Sequence, residues 1–223
     1  MTEISFTFDL ENTNAGTTLP ARYEAPTHAV LDLLAELGAR GTFFVVGELA
    51  PACASLIRRI AAENHEIALH GWRHVPLGSL THDQLRSDVK RGIATLEDIS
   101  ATPVVGFRAP LFSLTRNETW VPPVLQEAGM LYSSSVLPAR NPISGFPGAP
   151  NSTFRWSCGL VEFPVPVTTV LKFSMPFLGG VYLRYLPTGI ITRALSSCEN
   201  ENPWIYSHPY DFDVGEPYHR LPW

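Results

Sequence analysis

Residues 4–8, I-S-F-T-F, alternate apolar and polar side chains with a period of two, the pattern of a strand with two distinct faces. After Pro26, Ala29, Val30, Leu33, Leu34 and Leu37 fall on one helical face, and Gly38 marks the helix end. Residues 41–47, G-T-F-F-V-V-G, form a nearly continuous apolar run, expected of a strand covered on both sides. A second helix follows Pro51 and carries Leu56, Ile57 and Ile60; a short strand follows at 66–69. Thr81 and Gln84 make a T-x-x-Q capping box ahead of a helix presenting Leu85, Val89, Ile93 and Leu96. A strand at 104–107, a helix ending near Gly129 and a strand at 131–136 complete this part.

Beyond Pro138 the pattern weakens. Residues 141–152 are rich in Pro, Gly, Asn and Ser and predict a long surface loop. A strand at 161–163, a helix over 188–197 and a strand at 204–207 follow. Strands alternating with helices predict parallel strands joined by right-handed crossovers, an α/β fold. Five or more such units in 223 residues predict a distorted (β/α) barrel with fewer than eight regular units, as a single domain over 1–223.

Composition narrows the function classes. Apolar residues make up 45% of the chain and charged residues 17%, enough for a sizeable core. The net charge of −5, without a basic run, argues against nucleic acid as a partner. Cys53, Cys158 and Cys198 form no C-x-x-C and are too few for a disulfide framework, which fits a reducing, cytoplasmic setting. Met1-Thr2-Glu3-Ile4 carries no signal-peptide pattern, and the ending at Leu221-Pro222-Trp223 suggests a natural protein that runs on. The apolar stretch 160–191 is broken by four prolines, Lys172 and Arg184, so it predicts buried or substrate-facing chain and no membrane span. Nothing in the pattern specifies an oligomeric state.

In α/β folds the C-terminal strand ends point into the site. Here those ends carry Asp9-Leu10-Glu11, His70 with His74 beyond it, Arg108-Ala109-Pro110 and Ser207-His208-Pro209. Asp9 and Glu11 share one strand face and repel unless a cation lies between them; otherwise Asp9 caps a turn and Glu11 begins a solvated loop. His70 and His74 in H-G-W-R-H, four apart on a helical turn, are spaced to share a metal. Trp72 between them is either a sugar-binding wall or a packing residue. A buried Arg108 needs a carboxylate partner, Asp9 or Glu11. His208 can serve as a general acid or as a hydrogen-bonded structural residue. His28, His65, His82 and His219 lack strand-end placement and are expected at the surface or in caps. Two imidazoles and one carboxylate suit a divalent metal, with the remaining acid, base and cation matching amide hydrolysis.

Taken in order, F-T-F-D-L-E, H-G-W-R-H, G-F-R-A-P and Y-S-H-P resemble the motifs of the polysaccharide deacetylases, carbohydrate esterase family 4, with its NodB-homology domain. The resemblance runs from Phe6 to Pro217. The late segments E-F-P-V-P-V-T-T-V, P-F-L-G-G-V-Y-L-R-Y-L-P and H-P-Y-D-F-D look like the branch associated with bacterial exopolysaccharide synthesis. The family implies a divalent metal, zinc first, and removal of N-acetyl groups from the amino sugars of a glycan or glycan precursor. By motif, Asp9 matches the catalytic base, and Glu11, His70 and His74 match the metal ligands. Arg108 matches the residue that braces the base, the Leu111 N–H the oxyanion donor, and His208 the general acid. Where the family often carries an Asp that orients the histidine, this chain reads Y-S-S-S at 132–135, and Asp211 is the candidate substitute. The same fold type and D-x-E variant also fit a deformylase or amidohydrolase of a lipid-linked sugar or cyclic amide. The missing Asp also fits a non-catalytic sugar-binding relic.

Overall fold

The alternation along the first two thirds of the sequence is the order of elements in space. The structure, a computed structural model, describes residues 3–141, 144–170, 173–198 and 202–215. Strands β1 (Ser5–Leu10), β2 (Gly41–Val45), β3 (Glu66–Leu69), β4 (Gly106–Phe107) and β5 (Tyr132–Ser133) are separated by α1 (Glu24–Glu36), α2 (Ala54–Ala62), α3 (His82–Ser100) and α4 (Val121–Glu127). Then come β6 (Phe154–Arg155), β7 (Val161–Glu162), an antiparallel pair β8 (Val167–Val170) and β9 (Phe173–Pro176), α5 (Gly180–Tyr185), α6 (Thr188–Ser196) and β10 (Trp204–Ser207).

Eight strands form one sheet in the order β10-β1-β2-β3-β4-β5-β7-β6, with every neighbouring pair parallel except β6 and β7. The sheet curls but stays open, each edge strand having one neighbour. This is the distorted barrel that the alternation predicts.

Period-two alternation divides β1 between two environments. Phe8 and Leu10 join Phe43, Val45, Ile67 and Leu69 in the main core under the helices, and Thr7 and Asp9 turn inside the curl. Each large core side chain contributes about 1.5–3 kcal/mol relative to exposure. Helix α3 opens with the capping box read from the sequence: Thr81 Oγ1 accepts from the Gln84 N–H, and Gln84 Oε1 accepts from the Thr81 N–H.

Three expectations need correction. The buried stripe of α1 is Pro26, Thr27, Val30, Leu31 and Leu34; Ala29, Leu33 and Leu37 face solvent. The ladders of β4 and β5 are two residues each, shorter than the runs 104–107 and 131–136; past their ends Ser135 Oγ accepts from the Ala109 N–H and Ser134 Oγ accepts from Arg108 Nη2. His65 is buried, and its Nδ1 accepts from the Gly41 N–H at 3.1 Å, tying the foot of β2 to the turn before β3. His28 and His82 are surface residues, on Arg59 and Trp120 respectively; His219 lies outside the described residues.

From β7 the chain crosses the open side of the sheet. Tyr206 N–H donates to the Leu178 carbonyl at 3.1 Å, and Gly179 bridges to Tyr206. A Cβ on Gly179 would lie 2.3 Å from the Tyr206 ring, so only glycine allows this approach. No helix among the described residues is long and apolar enough to cross a membrane.

Candidate active site

Parallel register makes the motifs converge. Phe8 pairs with Ser207 and Leu69 pairs with Phe107, so Asp9, His208, His70 and Arg108 each stand one step beyond a paired position, all on the same rim. Asp9, Glu11, His70, His74, Leu111 and His208 line a cavity of about 230 Å³ there.

Asp9 is 2% exposed and Arg108 is fully buried. Arg108 Nη1 donates to Asp9 Oδ1 at 2.5 Å and to Thr7 Oγ1 at 2.9 Å, and Nη2 donates to Ser134 Oγ at 3.1 Å. The guanidinium lies between the Phe44 and Trp204 rings, 3.9 and 4.4 Å from their centroids. Burial works to raise the Asp9 pKa, but Arg108, with His70 and His208, outweighs it and holds the carboxyl below its ordinary value. Asp9 Oδ2 is the oxygen that Arg108 leaves open. It lies 3.9 Å from His70 Nε2 and 3.8 Å from His208 Nε2.

Glu11, one residue past β1, shares the Asp9 face and is also buried. His70 and His74 do not share a helical turn; the loop after β3 bends at Gly71, which has φ +70°, and brings their rings to 5.3 Å. Carboxylate and imidazole atoms of Glu11, His70 and His74 all lie within 4.8 Å of one another. Glu11 Oε2 is 2.6 Å from His74 Nε2. His70 Nδ1 donates to the Arg108 carbonyl at 3.0 Å, which leaves the Nε2 lone pair of the neutral ring facing the carboxylates. Burial lowers the His70 pKa and so favours that neutral form. Burial also opposes the charge on Glu11 and His74, but their mutual hydrogen bond prevails, lowering the Glu11 pKa and raising that of His74. Two imidazoles and one carboxylate form a donor set that fits a divalent ion of the zinc type.

On the opposite wall, Asp211 Oδ2 takes both the backbone N–H of His208 and its Nδ1, at 2.9 and 3.1 Å. Burial disfavours the imidazolium, yet the Asp211 bond and the Asp9 charge raise the His208 pKa. Tyr210 stacks on the His208 ring at 4.6 Å with an 11° tilt.

Leu111 has φ +59°, a left-handed conformation that a leucine adopts at a cost, and no hydrogen bond among the described residues takes its N–H. Ser135 Oγ fixes the same turn by accepting from the Ala109 N–H at 2.8 Å.

Trp72 does not line the cavity. Its indole lies against Gly47 and beneath the Arg91 guanidinium, 3.9 Å from the ring centroid, so packing is its observed role. The aromatic wall comes instead from Phe112, Tyr182, Tyr206 and Tyr210, with Leu137 and Pro176 beside them. No motif marks Tyr182 in the sequence; only the helix α5, folded back over the rim, brings it here.

A family model described as polysaccharide deacetylase matches residues 2–131, and one described as a domain of unknown function (DUF3473) matches residues 134–222. A chitooligosaccharide deacetylase from Sinorhizobium fredii is 42% identical over 67 residues, 30% of this chain and 29% of that protein. A peptidoglycan-N-acetylglucosamine deacetylase from Bacillus cereus is 27% identical over 92 residues, 41% of this chain and 34% of its own length. The matched stretch thus spans about a third of these curated relatives. A solved structure from Mycobacterium smegmatis, named for a polysaccharide deacetylase, superposes with a TM-score of 0.69 at 27% identity, covering 93% of this chain and 76% of that one.

Proposed function

The chain belongs to the polysaccharide deacetylase family, and from that premise we propose that it is a metal-dependent hydrolase removing N-acetyl groups from amino sugars of a glycan or glycan precursor. The observation that carries this reading is one rim holding a buried carboxylate braced by Arg108, a Glu-His-His donor set and a histidine tethered by Asp211.

Glu11, His70 and His74 would hold the ion, zinc by preference of the donor set. When bound, such an ion supplies Lewis acidity, bringing water towards ionisation near neutral pH and polarising an acyl oxygen. Asp9 Oδ2 accepts the proton of the attacking water, while Arg108 on Oδ1 keeps the carboxylate ionised beforehand. The Leu111 N–H, held pointing away from its own chain by the turn, donates to the oxygen that becomes negative in the tetrahedral state. His208 Nε2 donates its proton to the departing amine, because Asp211 holds Nδ1 as a donor and fixes the ring. Acetate and the free amine leave. The apolar and aromatic wall of Phe112, Tyr182 and Tyr206 supplies a face for a sugar ring.

Asp211 fills the role left open by the Y-S-S-S stretch, which supports a working catalyst over a sugar-binding relic. Cys53, Cys158 and Cys198 are free thiols, in keeping with a reducing, cytoplasmic location. The deciding experiment is a hydrolysis panel of N-acetylglucosamine oligomers, N-formyl amino sugars and cyclic ureides, with the zinc-loaded protein. Amine and acetate released from the acetylated sugars alone is the expected result. Turnover of the formylated or cyclic amides alone reassigns the substrate class, and no hydrolysis of any of the three removes the enzymatic reading.

A further inference from the structure

Helix α5 meets the rim with two residues that do different things. Tyr182 lines the rim cavity. Arg184, two positions on, does not line it and reaches Asp211 instead, its Nη2 donating to Asp211 Oδ1 at 2.7 Å. The two oxygens of Asp211 therefore have separate duties. Oδ2 takes the backbone N–H and Nδ1 of His208, and Oδ1 takes the guanidinium.

The two grips come from different parts of the fold. His208 and Asp211 belong to the end of β10 and the turn at 209–211. Arg184 arrives on a helix laid across that strand: Gly179 bridges to Tyr206, and a Cβ on Gly180 would stand 3.3 Å from the same ring, two residues before His208. A carboxylate bonded through one oxygen to its own turn keeps the freedom to rotate about the Cβ–Cγ bond. A charged donor on the other oxygen, from a separate helix, fixes the carboxylate plane. The other carboxylate of the rim is held in the same way, since Arg108 takes Asp9 Oδ1 and leaves Oδ2 to the site. The two pairs differ in burial. The Arg108 side chain is 1% exposed, whereas that of Arg184 is 46% exposed, and an ion pair so open to water adds little to stability. Orientation is what remains for it to supply.

We propose that Arg184 is a positioning residue for the general acid. It acts through Asp211, whose carboxylate plane it fixes, and so keeps His208 Nδ1 bonded and Nε2 turned towards Asp9. The role in turnover rests on the deacetylase reading above, in which His208 protonates the departing amine.

The test compares Arg184→Ala, Arg184→Lys, Asp211→Ala and the double variant Arg184→Ala with Asp211→Ala against the unaltered full chain. With the zinc-loaded proteins and an acetylated sugar, Arg184→Ala should lower kcat by about three- to tenfold at unchanged KM. Arg184→Lys, which keeps the charge and a donor, should recover most of that loss. The double variant should match Asp211→Ala alone, because Arg184 acts only through the group removed. The urea midpoint of Arg184→Ala should stay in place. An unchanged kcat in Arg184→Ala, a loss confined to KM, or losses that add in the double variant each overturns the proposal. A second readout needs no turnover. Long-range ¹H–¹⁵N correlations of ¹⁵N-histidine protein report both ring nitrogens of neutral His208, identified by its loss in His208→Gln. The expected result is a proton on Nδ1 in the unaltered chain, and ring-nitrogen shifts that move towards each other in Arg184→Ala as the two tautomers mix. Identical ring shifts in the two proteins overturn the proposal whether or not any amide is hydrolysed. Moved shifts in a protein that hydrolyses nothing remove the hydrolase reading and leave the hold of Arg184 on the pair intact.

Discussion

A single oxygen of Asp211 grips His208 twice, at the backbone N–H (2.9 Å) and at ring Nδ1 (3.1 Å). That grip turns Nε2 towards Asp9 Oδ2 at 3.8 Å and raises the His208 pKa against the opposing effect of burial. In the proposed role of general acid His208 is active while protonated, so turnover should fall as pH rises through that raised value. Asp211→Asn should lower kcat by about tenfold or more and move the alkaline limb of the rate profile to lower pH. The pH dependence of kcat for the two proteins checks this; an unmoved limb removes Asp211 from the role. The stability sign runs the same way: the contribution of His208 protonation is complete below about pH 6.5 and is lost as pH rises through the raised folded value.

The metal assignment makes its own prediction. His70→Ala with His74→Ala removes two of three donors and should leave a protein that folds but retains almost no zinc by elemental analysis. Chelation should abolish turnover of the unaltered protein, and added zinc should restore it. A full equivalent of zinc in the double variant would refute the ligand set.

Asp9 and Arg108 form a buried pair, and a broken pair of this kind costs about 3–5 kcal/mol because one charge is left uncompensated. Asp9→Asn should therefore lower both stability, read by urea unfolding, and kcat, the latter by about 10²–10⁴, while zinc content stays unchanged. Asp9 and Glu11 both sit below their ordinary pKa values, so they bind fewer protons folded than unfolded. Their stabilisation is complete above about pH 4 and is lost as pH falls through the folded values. Asp9→Asn should flatten the acid limb of the stability curve.

Legibility in the sequence tracked locality. The I-S-F-T-F alternation and the run 41–47 locate β1 and β2 because each strand's two faces are written in consecutive residues. The rim residues could be named because strand-end position is itself a local signal. The buried face of α1 departs from the apolar pattern because Leu33 and Leu37 are apolar yet exposed, and apolar character constrains burial in one direction only. His65 carries no local sign of its bond to Gly41, which depends on the β2–β3 pairing. Tyr182 reaches the cavity through a chain reversal that no short-range pattern encodes. Likewise, the neighbours of Trp72 in sequence leave it open between a sugar-binding wall and packing, and its contacts with Arg91 on α3 and with Gly47 make it a packing residue.

The C-terminal third also sets the rim from beneath. Glu162 on β7 is fully buried; Oε1 accepts the N–H groups of Ser135 and Val136 at 2.6 and 2.9 Å, and Oε2 accepts the Trp156 indole at 3.2 Å. Ser135 in turn holds the Ala109 N–H, and Ser134 holds Arg108, so one carboxylate fixes the stretch that supports both Arg108, the partner of Asp9, and the Leu111 turn. Burial raises the Glu162 pKa despite these bonds, a sign that its desolvation is only partly offset. Its contribution is therefore greatest at low pH and declines as pH rises through the folded value, opposite in sign to Asp9. Glu162→Gln keeps the shape and, at neutral pH, removes the charge. Its amide oxygen can still accept the two backbone N–H groups, but its NH₂ then faces the Trp156 N–H, donor against donor. The unpaired indole should cost about 1–3 kcal/mol. Glu162→Ala loses all three bonds and opens a cavity, so it should destabilise further and lower kcat with little change in KM, since nothing in contact with substrate has been altered. Urea unfolding of both variants and their kcat and KM values test this. A Glu162→Ala protein with unchanged kcat would mean that Ser134 and Ser135 hold their places without the buried acid.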